Sequence, residues 1–149
     1  MFTKLTSVKV SILTTLPHSH HKVIPIVLAK VQAGFPSPAD DYIESALNIN
    51  DLFQVDESST FFVRVEGSSM INAGIMNGDI LCVRRDLEPK EGKIVIAIID
   101  SEFTVKRFMK KGKRVIFEAA NDDYPSIEPQ DGQSVEIWGV VTGFARTFK

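Results

Sequence analysis

A strand-like run over residues 61–66 ends at Gly67 and passes through Ser68 and Ser69 into the short segment Met70-Ile71-Asn72-Ala73-Gly74. A serine at such a strand exit is open to solvent, and the backbone N–H groups beside it are free to stabilise a developing oxyanion. Serines also cap helices, so the local pattern leaves nucleophile and cap both open. A second stretch, residues 102–108, bears on the choice. Strand alternation puts Thr104, Lys106 and Phe108 on one face and Phe103, Val105 and Arg107 on the other. Lys106 and Arg107 therefore cannot both point outward. A lysine turned toward an apolar interior is costly as a cation, and burial lowers its pKa from about 10.4 by as much as several units. The neutral amine beside a serine hydroxyl is then a general base, the serine/lysine form of the activated nucleophile. A lysine that snorkels from a strand edge is the alternative.

Other chemistries are less well supplied. His18, His20 and His21 are the only histidines and crowd into one polar segment, with no cysteine near them and no acid before Asp40. A closed zinc site there would need distant carboxylates, and a solvated cluster is the expected reading. A Ser-His-Asp triad would need one of these histidines to dock in a formed site. Neither Gly-x-Gly-x-x-Gly nor a P-loop occurs. The pairs Asp40-Asp41 and Asp122-Asp123 diverge in direction and suit a helix N-terminus and turns. Neither a metal nor a cofactor is expected. The single cysteine, Cys82, excludes an internal disulfide and a multi-cysteine metal site, so a reducing cytoplasm is expected.

The elements that must position Ser69 and Lys106 are mostly strands. The chain has 149 residues, of which 44% are hydrophobic and 24% charged, a globular composition with room for one domain plus an appendage. Residues 61–66, 79–85, 94–99, 103–109, 114–118 and 135–144 read as strands, with 94–99 continuously apolar as in a strand buried on both faces. Turn chemistry separates them at Asn77-Gly78-Asp79, Lys90-Glu91-Gly92, Asp100-Ser101, Lys111-Gly112-Lys113 and Asp131-Gly132. The fold class is mainly β, a small domain with hairpins and one or two short helices, preceded by an extended N-terminal arm. Residues 1–33 have no sustained 3.6 period and fit an adaptable extended arm. Ser37-Pro38-Ala39-Asp40 has the cap, first-turn proline and acid of a helix start. It predicts a short helix to about Leu47, with Tyr42, Ile43, Ala46 and Leu47 facing inward.

Charge divides the chain at the same place. Before Asp40 stand Lys4, Lys9, Lys22 and Lys30 and no acid, a charge of +4, whereas the remainder carries 13 basic and 19 acidic residues, a charge of -6. Opposite signs let the arm lie on the body, although salt screens exposed charges over about 10 Å at 0.1 M. An acidic body argues against direct nucleic-acid binding, which depends on neutralising phosphates. Val31-Gln32-Ala33 would suit an export cleavage site, but the apolar run at 23–29 is short, is broken by Pro25 and is followed by Lys30. No stretch approaches the roughly 20 apolar residues of a membrane span. Neither export nor a membrane segment is expected.

Three motifs in order carry a resemblance: Ala33-Gly34-Phe35-Pro36-Ser37-Pro38, Gly67-Ser68-Ser69-Met70, and Phe103-Thr104-Val105-Lys106-Arg107, with the lysine 37 residues after Ser69. Together they resemble the LexA/UmuD family of self-cleaving proteins. Asp79-Ile80, Gly92-Lys93-Ile94-Val95-Ile96-Ala97 and Trp138-Gly139-Val140-Val141 extend the likeness over nearly the whole chain from Gln32. The first 30 residues carry little of it. The resemblance implies a small LexA/signal-peptidase-like β domain and a serine/lysine-dyad hydrolase. The serine directly before methionine, Ser69, is then the nucleophile, Lys106 the general base, and Ala33-Gly34 the scissile bond. Ser68 stands where many relatives carry an acidic or other residue.

The resemblance also implies a division into an arm, residues 1–33, removed by self-cleavage, and a peptidase and dimerisation domain, residues 34–149. Ser69 attacks the Ala33 carbonyl, Gly34 departs as the amine, and water releases the acylated arm. Tethering makes the attack effectively unimolecular, so regulation lies in whether the arm reaches the site in a productive pose. The implied trigger is a RecA filament on single-stranded DNA after damage. The product forms a homodimer and joins the UmuC-type catalytic subunit of an error-prone translesion DNA polymerase in the bacterial cytoplasm, with the sliding clamp as a further partner. Small Ala33 and Gly34 let an extended backbone approach the dyad, and Pro36 and Pro38 keep the link from pairing as an ordinary strand.

Three rivals share parts of this pattern. A LexA-like transcriptional repressor needs an N-terminal DNA-binding domain, and 33 residues containing Pro17 and Pro25 do not make three packed helices. A type I signal peptidase has a similar dyad but cuts foreign substrates from a membrane anchor. A catalytically inactive module would keep the fold only to dock on a polymerase. Self-cleavage separates the last two from the favoured reading.

Overall fold

Alternating apolar residues and the turns between them produce strands where the sequence puts them. The computed structural model describes residues 12–13, 24–27, 43–47 and 49–148, the first three stretches as backbone alone. In chain order the elements are β1 (Ile12–Leu13), β2 (Ile24–Val27), β3 (Ile43–Leu47), α1 (Ile49–Leu52), β4 (Thr60–Arg64), β5 (Ile80–Arg84), β6 (Ile94–Ile99), β7 (Glu102–Lys111), β8 (Arg114–Glu118) and β9 (Val135–Ala145). From β4 onward, each lies within two residues of its expected bounds. The β6–β7 turn, Asp100-Ser101, has positive φ at both residues (49° and 68°), the mirror-image turn whose twist matches paired strands.

The chain divides into two compact units, one formed by Met1–Thr15 with Asp56–Lys149 and the other by Leu16–Val55. The first holds a seven-stranded sheet of order β1-β4-β5-β9-β6-β7-β8, antiparallel throughout. β9 runs between β5 and β6, and its register shifts against both. Ile96 faces Gly139 while Ala97 faces Ile137, so Trp138 is the extra residue of a bulge; Thr142 is the extra residue on the β5 side. The bulge turns Trp138 into the core formed by Val63, Leu81, Val83, Ile96 and Val105, where its ring meets Phe61 at 5.3 Å and Phe103 at 5.9 Å between centroids. A second cluster holds Val95, Ala97, Phe108, Phe117 and Val140. β6 feeds both clusters with alternate residues, as a strand buried on both faces must. Gly139 marks the tightest approach, since a Cβ there would stand 2.5 Å from Val83 Cγ1.

The second unit corrects one expectation. Residues 43–47 form a strand rather than the end of a helix: β3 pairs antiparallel with β2, from Ile24 opposite Leu47 to Val27 opposite Ile43. A short helix must nucleate at a cost before it gains hydrogen bonds, and an apolar partner strand offers the segment a ladder instead. The helix that does form, α1, begins two residues beyond Leu47. Pro25 sits within β2 opposite Ala46, on a sheet of only two strands where a missing N–H is tolerated. The expected helix start at Ser37-Pro38-Ala39-Asp40, and Tyr42, lie outside the described residues.

Candidate active site

Lys106 occupies β7 opposite Val95 of β6, with 6% of its surface exposed. Alternation turns it in and leaves the neighbouring Arg107 partly exposed, paired with Glu118 at 3.8 Å. The ammonium finds three acceptors: Thr104 Oγ1 at 2.9 Å, the Val105 carbonyl at 3.1 Å and Ser69 Oγ at 3.2 Å. Burial, which penalises the charged form, pulls its pKa down from 10.5 to about 8. Among the described residues no carboxylate is a hydrogen-bond partner of Lys106, and desolvation is the cause of the shift. When the amine is neutral, the Ser69 contact can invert: Ser69 Oγ–H donates to the lone pair while Thr104 and Val105 keep the two N–H groups.

The serine arrives on a loop. Gly67, with φ of 107°, turns the chain out of β4, a conformation that side-chain-bearing residues rarely adopt. Its N–H donates to Asn77 Oδ1 at 2.9 Å, while Gly78 N–H donates to the Val65 carbonyl at 2.8 Å and Val65 N–H to the Asp79 carbonyl at 2.9 Å, so the loop closes on itself. Met70 and Ile75, each 2% exposed, anchor it in the core on either side of a 3₁₀ turn at Ile71–Ala73. Asp79 fastens its far end. This carboxylate is 1% exposed and accepts from Met76 N–H at 2.8 Å and from Arg146 Nε and Nη2, both at 2.6 Å. Arg146 also donates to the Gly74 carbonyl at 2.6 Å. The Arg146 guanidinium holds the Asp79 carboxyl below the ordinary carboxylate range.

The two serines have different partners. Ser69 Oγ meets Lys106, whereas Ser68 Oγ meets the Tyr124 hydroxyl at 3.0 Å. Neither caps the 3₁₀ turn: its N-cap is Met70, without a side-chain cap bond. The residues that the sequence left unassigned are Thr104, Asp79, Arg146, Asn121 and Tyr124. Thr104 was within reach, because strand alternation already sets it beside Lys106. Asn121, Tyr124 and Arg146 meet the loop from 53 to 72 residues away and leave no local trace.

Ala33, Gly34 and the three histidines lie outside the described residues. Among the described residues no group of three or more His, Cys, Asp or Glu could hold a metal ion, and no helix is long and apolar enough to cross a membrane.

The family model described as Peptidase S24-like matches residues 25–142. Protein MucA of Salmonella typhimurium is 43% identical over 136 residues, covering 90% of this chain and 92% of that protein. Protein ImpA of Shigella flexneri is 44% identical over 120 residues, 80% of this chain and 81% of that one. The LexA repressor of Psychromonas ingrahamii is 37% identical over 131 residues, which cover 87% of this chain but 61% of the repressor.

Proposed function

The chain belongs to the S24-like peptidase family, the self-cleaving serine peptidases of LexA/UmuD type that serve the SOS response to DNA damage, and from that premise we propose that it cuts its own Ala33-Gly34 bond with Ser69 as nucleophile and Lys106 as general base. The observation that carries the reading is the 3.2 Å contact between Ser69 Oγ and the buried Lys106 Nζ. A hydroxyl becomes a nucleophile when a base within hydrogen-bond reach is neutral, and a lysine drawn down to about 8 is neutral in roughly a tenth of molecules at pH 7 and in most of them by pH 9. Among the described residues, the Ser68 hydroxyl is engaged with Tyr124 and not with Lys106.

The chemistry is acyl transfer in two stages. Lys106 takes the Ser69 proton as Oγ bonds to the Ala33 carbonyl carbon, and the C–N bond to Gly34 breaks as Lys106 returns that proton to the departing amine. Residues 1–33 are left as an ester on Ser69. Water, deprotonated by Lys106, attacks that ester and frees Ser69 and the Ala33 carboxylate. Because substrate and nucleophile share a chain, presentation of the arm sets the rate, and effective molarities for well-aligned partners reach about 10⁵–10⁸ M.

In this reading the division is an arm, 1–33, and an active fragment, 34–149. The fragment works as a homodimer with a UmuC-type polymerase subunit and the sliding clamp in the bacterial cytoplasm, and a RecA filament on single-stranded DNA favours the productive pose. The acidic body, 13 basic against 19 acidic residues from Asp40 on, favours protein partners over direct nucleic-acid contact.

The test is incubation of the purified full chain at alkaline pH, with and without activated RecA, read by mass spectrometry beside Ser69→Ala, Ser68→Ala and Lys106→Ala. Wild type and Ser68→Ala should yield a fragment beginning at Gly34; the other two should stay whole. Wild type that remains intact with RecA, or Ser69→Ala that still cuts there, would overturn the reading.

A further inference from the structure

Three polar or charged residues are buried among the described residues: Lys106, Asp79 and Asn121. The first is the proposed base and the second fastens the serine loop. Asn121, 8% exposed, sits in the turn after β8 and donates from Nδ2 to the Ser68 carbonyl at 2.8 Å, the shorter of two bonds to that oxygen, the other coming from Ile71 N–H at 3.4 Å. Its Oδ1 accepts from Asp123 N–H at 3.0 Å, and its own carbonyl accepts from Tyr124 N–H at 3.0 Å. Both ends of the side-chain amide are therefore committed, which fixes its orientation.

The Ser68 carbonyl and the Ser69 N–H belong to one planar peptide unit and point in opposite directions. A donor that fixes the carbonyl consequently fixes the direction of the N–H. That N–H adjoins the proposed nucleophile, where the oxygen of an attacked carbonyl gathers negative charge. Among the described residues it makes no intramolecular hydrogen bond. Resting on the function proposed above, we propose that Asn121 is a positioning residue for self-cleavage: its amide sets the plane of the Ser68-Ser69 peptide and so aims the Ser69 N–H at the oxyanion formed from the Ala33 carbonyl.

The same turn grips the loop at two further points. Asn72 N–H donates to the Ala120 carbonyl at 2.8 Å on the far side of the nucleophile, and the Tyr124 hydroxyl meets Ser68 Oγ at 3.0 Å. None of these groups hydrogen-bonds to Lys106 Nζ or Ser69 Oγ, whose contacts are with each other, Thr104 and Val105. The turn thus governs where the peptide points and leaves the proton transfer alone. Misaimed oxyanion donors lower the plateau of a pH–rate profile without moving its midpoint.

The variant that separates positioning from simple support is Asn121→Asp. A carboxylate keeps the shape and still accepts from Asp123 N–H, but it cannot donate to the Ser68 carbonyl. Self-cleavage of the full chain, followed from pH 6 to 10.5, should show a plateau lowered about 10- to 100-fold, beyond any shift of the midpoint that the added negative charge brings. Tyr124→Phe, which removes one hydroxyl contact, should lower it by about threefold. Independently of cutting, the Ser69 amide resonance should move when Asn121→Asp is added to the uncut Lys106→Ala chain. A wild-type plateau in Asn121→Asp or an unmoved Ser69 resonance overturns the proposal. If Asn121→Asp does not fold, Tyr124→Phe decides by the same readouts. Failure of wild type to cut at Gly34 strikes the proposed function instead, and the amide resonance still reports on the peptide plane.

Discussion

Lys106 stands on β7, which is laddered to β6 along residues 102–107 and to β8 along 107–111; Ser69 stands on a loop whose only regular element is a three-residue turn. The proposed base is fixed by backbone hydrogen bonds that any strand-forming sequence could supply. The proposed nucleophile is fixed by particular side chains, Asn77, Asp79, Arg146 and Asn121, each reaching a backbone group or partner of the loop. Rigidity on the lysine side serves its chemistry, since a depressed pKa survives only while water is kept from the amine. The loop side tolerates small adjustments of aim. Changes on β7 should therefore alter the proton affinity of the site, and changes on the loop should alter alignment.

The largest effect expected is loss of self-cleavage by about 10⁴-fold or more in Lys106→Ala and Ser69→Ala, measured as fragment formed at the alkaline plateau. The two differ in stability. Burying Lys106 as a cation is unfavourable, so Lys106→Met should raise stability at neutral pH by on the order of 3 kcal/mol, from a pKa drawn from 10.5 to about 8. The sign follows from proton counts. Between about pH 8 and 10.5 the unfolded lysine holds a proton that the folded one has lost, so wild-type stability rises with pH there and the advantage of Lys106→Met shrinks. Denaturant midpoints at pH 7 and 10.5 check this.

Wild-type cleavage should rise about tenfold between pH 7 and 9 and level off, with a midpoint near 8. A midpoint near 10.5 would mean that β7 does not shield its lysine. On the loop, Asp79→Asn should lower the plateau by several-fold, roughly as misalignment does, while Arg107→Ala on the strand should change it less than about twofold. The Asp79 carboxyl is held below its ordinary 3.8, so its contribution to stability is present above that value and lost as pH falls through the lowered one. Thermal melts of wild type and Asp79→Asn should therefore converge in acid. Ser68→Ala should stay within about threefold of wild type, because that hydroxyl braces the loop through Tyr124.

The same division explains what could be read from the sequence. Strand alternation and turn residues located β4 to β9, and the succession of Lys106 and Arg107 announced that one cation must be buried. Period and propensity are local, and the β sheet obeys them. The ties of the serine loop are not local: Asn121 lies 53 residues from Ser68, and Arg146 lies 67 from Asp79. An asparagine before two aspartates looks like any solvated turn. Residues 43–47 failed for a related reason, since a capping signal upstream is a weak preference and an apolar partner strand overrode it.

β1 occupies an outer edge of the seven-stranded sheet, with Ile12 opposite Val63 and Leu13 opposite Phe62. It belongs to the segment that a cut after Ala33 would detach. Two residues of ladder hold a severed peptide weakly once the covalent link no longer keeps it near. Hydrolysis of that one peptide bond would thus reach a strand that takes no part in the chemistry: β4 would change from an interior member of the sheet to a border, with main-chain donors and acceptors open to a new neighbour.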